Sequence, residues 1–430
     1  MAGRLAATSA FLAHLARDLA GTLRRRWSTW QSRVVSGEGP IVVGVDAYPF
    51  TEHMTGVGWY EWQLLEALDE VGEGLELNLY AHTFRAPGEP AAPALPGHRR
   101  MRLRCHHLPE GFLFPIRPTL TVLRRVVEPL LRLLDNNQVM FAPNFFLHRD
   151  QLPFGRSIVA TVHDLAFCAR PDTVAPETLR ELESQLPDTL FRAERLIAVS
   201  DATASDLETH LGIPRRRIHT IHEGIDPGFA TLAGSTPAGV SLPYLLFVST
   251  LEPRKNVVGV LAAFHLLVEW GYPGQLVLVG RWGWRTEGIR DAIERSPARH
   301  RVLHLEGVER DQLPCLYRGA DALLFPSWLE GFGLPILEAM VCGTPVVTSG
   351  SSSMPEVAGP AAVYVDPSSA HGIASAVSSL LADPQHRQRL VALGRERATR
   401  FSWRRAAAAT RETLCQAAGL EPAGDDAYRV

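Results

Sequence analysis

Lysine is almost missing from this sequence. Of its 43 basic residues 42 are arginine, and the one lysine is Lys255. A bias of that kind reflects genome composition and says nothing about function. A lysine that survives it marks either chance or a site that needs a compact ammonium rather than a planar guanidinium. Cysteine is also sparse: Cys105, Cys168, Cys315, Cys342 and Cys415 are odd in number, scattered, and form no CxxC pair. That usage suits reduced thiols in a cytoplasmic protein and supplies no zinc site. No run of 18 uncharged apolar residues occurs, so no membrane-spanning helix is expected. A formal charge of −3 argues against a dedicated nucleic-acid binder, which is usually basic.

What is present begins with a distinctive leader. Residues 1–36 carry Arg4, Arg17, Arg24, Arg25, Arg26 and Arg33 against a single acid, Asp18. Leu5, Leu12, Leu15, Leu19 and Leu23 recur at helical spacing ahead of Trp27 and Trp30. His14, Arg17 and Asp18 interrupt the apolar run, unlike a cleaved secretory signal. The pattern predicts a basic amphipathic helix on an anionic membrane surface, with packing on the protein or a disordered leader as alternatives.

From residue 40 an α/β alternation sets in. Strands are expected at 41–47, 75–81, 139–144, 157–164, 195–200 and 218–226, with helices over Trp59–Leu68 and from Asp201, read as an N-cap, to His210. Residues 227–242 are rich in Gly, Pro, Ser and Ala and read as a linker, after which strand-like runs return at 244–250, 275–280, 302–308, 321–327, 344–350 and 361–367. This predicts two doubly wound parallel-sheet, Rossmann-like domains facing a central cleft. Their bounds are set at 40–228 and 243–400, with a C-terminal helix and tail (401–430) that crosses back to the first domain. Ligands of such sheets bind beyond the carboxyl ends of the strands.

Four motifs sit at such ends. Glu330-Gly-Phe-Gly-Leu-Pro-Ile-Leu-Glu338 follows a strand, and its Pro335 suits the first turn of a helix that aims free N–H groups at an anion such as a diphosphate. Gly331 and Gly333 allow close approach of the backbone to a ligand. Glu330 and Glu338 would repel phosphate, so sugar hydroxyls are their more natural partners. The alternative is a shaped turn and a solvated helix carboxylate. Ser249-Thr-Leu-Glu-Pro-Arg254-Lys255-Asn256 places two cations where a strand meets a helix, suited to neutralising two phosphates, or else a solvated basic turn. Thr55-Gly56-Val57-Gly58 is a weaker glycine loop, because Glu61 stands where the full dinucleotide motif has glycine. Val162-His163-Asp164-Leu165 ends a strand, and His163 is either structural or a partner of a sugar hydroxyl.

Taken together these residues resemble the family 4 retaining glycosyltransferases of the two-Rossmann-domain (GT-B) type. The resemblance is carried by Glu330–Met340, Ser249–Asn256, Val279–Trp284 and Ser353–Val357 in the second half. In the first half it is carried by Thr55–Tyr60, His163–Leu165, Val199–Leu207 and Gly224–Asp226, and it spans about residues 41–405. It implies that Arg254 and Lys255 hold the donor diphosphate, that Glu330 lies near the transferred sugar, and that Glu338 holds the nucleotide ribose. Gly331, Phe332, Gly333 and Leu334, with Val308, line the donor, His163 lies near the reaction centre, and Gly56 and Gly58 belong to the loop opposite the diphosphate. Val57 and Trp59 stand where isoleucine and arginine are common, which puts a phosphate contact at Trp59 in question.

The resemblance further implies net retention by front-face attack, with no required metal or other cofactor. The sequence has no DxD-like pair in a convincing context, and Arg254 and Lys255 would take a metal's part. Ser-Thr-Leu-Glu-Pro-Arg-Lys-Asn with Gly-Arg-Trp-Gly-Trp is similar to mannosyl- and rhamnosyltransferases of bacterial surface polysaccharides. GDP-mannose is accordingly the first expected donor, and a glycan or lipid-linked sugar at the cytoplasmic leaflet the expected acceptor. The competing readings are a sugar-nucleotide epimerase or phosphorylase on the same fold and a non-catalytic sugar-nucleotide binder.

Overall fold

The computed structural model describes residues 39–47, 56–83, 101–107, 137–145, 157–231 and 235–420. The leader 1–36, Thr55 and the tail beyond 420 lie outside the described residues. Strand β1 (Ile41–Asp46) is buried along its whole length, as its unbroken apolar run requires of a strand covered on both faces. It pairs in parallel with β2 (Leu75–Thr83), Ile41 opposite Leu75, and with β4 (Val139–Ala142), Val43 opposite Val139. With β3 (Met101–His107), β5 (Ser157–Val162), β6 (Arg195–Ala198) and β7 (Ile218–Thr220) they form a seven-stranded sheet in the order β3-β2-β1-β4-β5-β6-β7. Strand β3 was not expected from the sequence. Its MRLRCHH lacks the apolar run of its neighbours because it is an edge strand, where polar residues are tolerated.

The second half builds β8 (Tyr244–Val248), β9 (Gln275–Val279), β10 (Val302–Leu305), β11 (Ala322–Phe325), β12 (Val346–Ser349) and β13 (Ala362–Val365). They form a six-stranded sheet in the order β10-β9-β8-β11-β12-β13, again with parallel pairings. Leu245, Phe247, Leu276, Leu278 and Leu324 of this sheet pack on Phe264 and Val377 from the helices Val257–Glu269 and Ala370–Ala382. Truncating one such aromatic to alanine costs about 3–5 kcal/mol, so this core holds the turns that carry the motifs.

By its contacts the chain forms two compact units. One takes in the chain to Val162, Ser184–Ile197 and the segment from Ala407; the other is His163–Glu183 with Ala198–Ala406. Within the first, Arg411 of the helix Trp403–Ala417 donates to the Glu73 carbonyl at 2.8 Å. Among the described residues no helix is long and apolar enough to cross a membrane.

Several local expectations are corrected. The helix expected from Trp59 begins at Gly56 and runs to Val71, so Gly56 and Gly58 lie in its first turn rather than in a loop. Ser200, not Asp201, caps the helix Asp201–Leu211: its hydroxyl accepts from the Thr203 N–H at 3.0 Å, and Asp201 is already helical. The strand-like run expected to reach 308 stops at Leu305, and in the strand and turn read at 218–226 the strand is Ile218–Thr220. The Gly- and Pro-rich segment after Asp226 contains Phe229, which is fully buried against Tyr317 at a ring distance of 5.9 Å.

Candidate active site

Two strand-to-helix turns of the larger unit make the centre of the site. The first follows β8. Pro253–Lys255 is one 3-10 turn, and Asn256 takes a left-handed conformation (φ 58°) before the helix Val257–Glu269. The Asn256 amide fixes this reversal by donating to the carbonyls of Pro326 (3.1 Å) and Pro367 (2.8 Å). Adjacent residues Arg254 and Lys255 thereby reach the same acidic group, which a strand would prevent.

The second turn follows β11 and carries Glu330–Gly333 into the helix Leu334–Cys342. Ser352 and Ser353 donate to the Glu330 carbonyl at 2.6 and 3.0 Å, and Ser353 also to that of Phe332 at 2.8 Å. Gly333 is left-handed (φ 107°) and begins a helix with no side-chain cap; Pro335 carries no N–H and Ile336 donates to the Gly333 carbonyl at 3.0 Å, so the helix dipole and the Leu334 N–H are what its start offers an anion. Gly331 has a reason the sequence did not reveal. A Cβ there would lie 1.8 Å from the His163 carbonyl oxygen, so the close approach that demands glycine is by the chain's own backbone. Thr203 ties the two segments by its hydroxyl, 3.2 Å from the His163 carbonyl and 3.4 Å from that of Gly331.

The charges of the site are paired. The Lys255 ammonium donates to both oxygens of the buried Glu330 at 2.8 and 2.6 Å. Arg254 donates to Glu252 through Nε at 3.1 Å, to Asp164 through Nη1 at 3.2 Å, and to the Leu329 carbonyl at 3.2 Å; Glu330 lies 3.6 Å from its Nη1. Burial works against the Arg254 cation, yet Asp164, Glu330 and Glu252 outweigh it and hold its pKa above the ordinary arginine value. Burial raises Glu252 above the usual carboxylate range; Arg254 and Lys255 pull it back, while Glu330 and Asp164 add to the rise.

Glu338 lies one turn into the helix and is buried, accepting from the Tyr317 hydroxyl at 2.7 Å. Burial raises its pKa, against the charge of Arg310 and the Tyr317 hydrogen bond. Burial and Glu338 together hold the Tyr317 phenol well above its usual value. Val308, half-buried, follows β10 two residues before Arg310. The Phe332 ring packs against His222 (6.0 Å) and Phe401 (5.7 Å), leaving its backbone to line the turn. His222 meets Glu356 at 2.5 Å, and Glu356 accepts from the N–H groups of Asp201 and Ala202.

His163 is buried beside Glu223, its Nδ1 3.8 Å from a carboxylate oxygen. The structure therefore brings His163, Arg254, Lys255, Glu330, Gly331, Phe332, Gly333, Leu334 and Glu338 into one compact unit, whereas Gly56 and Gly58 belong to the other. In that other unit Glu61, on the same helix, is fully buried with neither carboxylate oxygen hydrogen-bonded, and burial and Asp46 raise its pKa well above the carboxylate range. Sequence reasoning passed over Asp164, Glu252, Glu223, Ser352, Ser353 and Arg310. Asp164 and Glu252 lay inside quoted motifs, and an acid beside a cation within such a motif was the available signal.

Known proteins resemble the chain over both of its halves. Residues 54–229 match the family model described as Glycosyltransferase Family 4, and residues 234–397 the model described as Glycosyl transferases group 1. The chain is 30% identical over 370 residues to O-antigen chain mannosyltransferase B of Escherichia coli, covering 83% of this chain and 94% of that protein. It is 31% identical over 245 residues to the MMP alpha-(1->4)-mannosyltransferase of Mycolicibacterium hassiacum, 54% of this chain and 55% of that one. Among solved structures, the sucrose-phosphate synthase of Thermosynechococcus elongatus superposes with a TM-score of 0.64 at 22% identity, over 88% of this chain and 98% of that one. The HepE protein of Anabaena, in complex with UDP and glucose, superposes with a TM-score of 0.62 at 18% identity, over 87% and 98%.

Proposed function

The chain belongs to the family 4 glycosyltransferases of the GT-B type, and from that premise we propose that it transfers mannose from GDP-mannose to a glycan or lipid-linked acceptor, with retention of configuration. The mannosyltransferase relative that this chain matches over 94% of its length supports the choice of sugar. One observation carries the donor site: the single lysine of the chain is buried on Glu330, beside an uncapped helix N-terminus.

In this reading the diphosphate takes the place of Glu330 as the partner of Lys255. Arg254, Lys255 and the N-terminus of the helix Leu334–Cys342, through its dipole and the Leu334 N–H, receive the charge that grows on the leaving diphosphate. Such preorganised donors are the main source of rate when charge develops on a departing group. Glu330, released from the ammonium, accepts hydrogen bonds from sugar hydroxyls, and Glu338 holds the ribose. His163 lies beside the acceptor hydroxyl, whose proton passes to the departing diphosphate on the same face. Two cations and a helix dipole supply the charge that a divalent metal supplies elsewhere, so no metal is required.

A thermal-shift screen tests the donor. A ligand at 100 times its Kd adds about 2.7 kcal/mol to the folded state, so the true donor raises the melting temperature above that seen with other nucleotide sugars. NMR of the product from GDP-mannose, showing the α-anomer retained, tests the stereochemistry. An inverted product or a shift only with a different sugar nucleotide overturns the corresponding part.

A further inference from the structure

The acids of the site outnumber its bases. Asp164, Glu252 and Glu330 surround Arg254 and Lys255, all in one compact unit and all buried or half-buried. If all three are ionised, the cluster already carries excess negative charge before a donor enters. A nucleotide-sugar diphosphate brings two further negative charges into the same low-dielectric space, where repulsion at contact distance is far stronger than in water.

The three carboxylates differ in burial and in the donors they receive. Asp164 is 19% exposed in its side chain, accepts from Arg254, and accepts from the Ala166 N–H at 3.0 Å. Glu330 receives the Lys255 ammonium on both oxygens before the donor enters, and in the donor reading it then turns to the sugar hydroxyls as the diphosphate takes that ammonium. Glu252 is the most buried, with its side chain 2% exposed, and Arg254 Nε (3.1 Å) and Nη2 (3.0 Å) both converge on its Oε1. Those two contacts engage one edge of the guanidinium and so turn Nη1 toward Leu329 and Glu330.

We propose that Glu252 is a positioning residue for Arg254 and that it takes up a proton from solvent when the nucleotide-sugar donor binds. The inference rests on the donor reading above. A protonated Glu252 keeps a carbonyl oxygen for the Arg254 edge, so the guanidinium stays oriented while one negative charge leaves the cluster. Burial, which already favours the neutral acid at this position, acts in the same sense. The groups that bear on Glu252 are Arg254 and Lys255 from its own turn, Glu330 from the turn after β11, and Asp164 from the segment after β5. The diphosphate moves the balance of these charges in one direction only.

Isothermal calorimetry with GDP-mannose, and with UDP-glucose as second probe, measures the uptake directly in buffers of different ionisation enthalpy. Neither probe has a phosphate that titrates between about pH 6 and 8. The wild-type chain is expected to show a binding enthalpy that rises with buffer ionisation enthalpy, and an affinity that falls toward higher pH by up to about tenfold per unit. Glu252→Gln should bind with neither dependence, because the amide keeps the acceptor for Arg254 and cannot take a proton. Glu330→Gln and Asp164→Asn should retain the uptake. Wild-type binding without proton uptake, uptake persisting in Glu252→Gln, or its loss in either of the other two variants overturns the assignment. If Glu252→Gln does not fold, uptake that persists in both remaining variants leaves Glu252 as its carrier among the three, and loss in either refutes it. If neither probe binds, the donor reading falls and this inference with it; binding without uptake sinks the inference alone.

Discussion

Replacing Lys255 by methionine separates two roles that one lysine holds at once. Its ammonium is 2.6 and 2.8 Å from the oxygens of Glu330, with side-chain exposures of 11% and 6%. Removing one partner of a buried pair leaves an uncompensated charge, which costs about 3–5 kcal/mol. Arg254 remains 3.6 Å from Glu330, so the lower end of that range is expected. At 2–4 °C per kcal/mol, that corresponds to a fall of roughly 6–12 °C in melting temperature. Adding Glu330→Gln to Lys255→Met removes the orphaned charge and should restore most of that stability. Activity should behave otherwise. A charge-assisted bond to the diphosphate contributes about 1.5–3 kcal/mol, a loss of roughly 10- to 150-fold in kcat/KM. That loss should persist in the double variant, which still lacks the phosphate contact. Melting curves and initial rates at sub-saturating donor decide the matter. Turnover that recovers with stability in the double variant would show that Lys255 serves only as the counterion of Glu330, and would refute the diphosphate assignment.

Transfer should survive EDTA, because Arg254, Lys255 and a helix N-terminus are proposed to supply the charge; loss in EDTA with recovery on magnesium or manganese would overturn this. Gly331→Ala should fold poorly, since its Cβ would sit 1.8 Å from the His163 carbonyl, whereas alanine at Gly350, with no atom within 4 Å, should be tolerated in the same melting assay. Glu61 keeps a proton in the folded chain that the unfolded chain releases, so its contribution to stability is present below the ordinary glutamate pKa and is lost as pH rises toward the raised folded value. Glu61→Gln should flatten that part of the stability–pH curve, and an unchanged slope in denaturant titrations would argue against a buried acid. Deleting residues 1–36 should abolish co-sedimentation with anionic vesicles, and high salt should weaken it for the full chain, given six arginines against one acid there.

By itself the sequence determined the fold class and marked the turns on which the proposed donor site is built. Apolar runs such as IVVGVD and YLLFV read as strands covered on both faces, and their alternation with helical segments points to parallel sheets, as the structure shows. Glycine, proline and charge at strand ends marked both turns of the site, because backbone approach and helix initiation restrict residue type locally. What local rules cannot see is pairing across the chain. Edge position explains β3, whose residues look too polar for a strand when read alone. Only the tertiary structure showed that Gly331 is glycine because of His163, 168 positions earlier, and that Lys255 is buried on Glu330, 75 positions later. It likewise decided that Asp164 and Glu252 share Arg254. A charge's partner is set by which turns the sheet order brings side by side, and that order is a property of the packed core rather than of any segment that composes it.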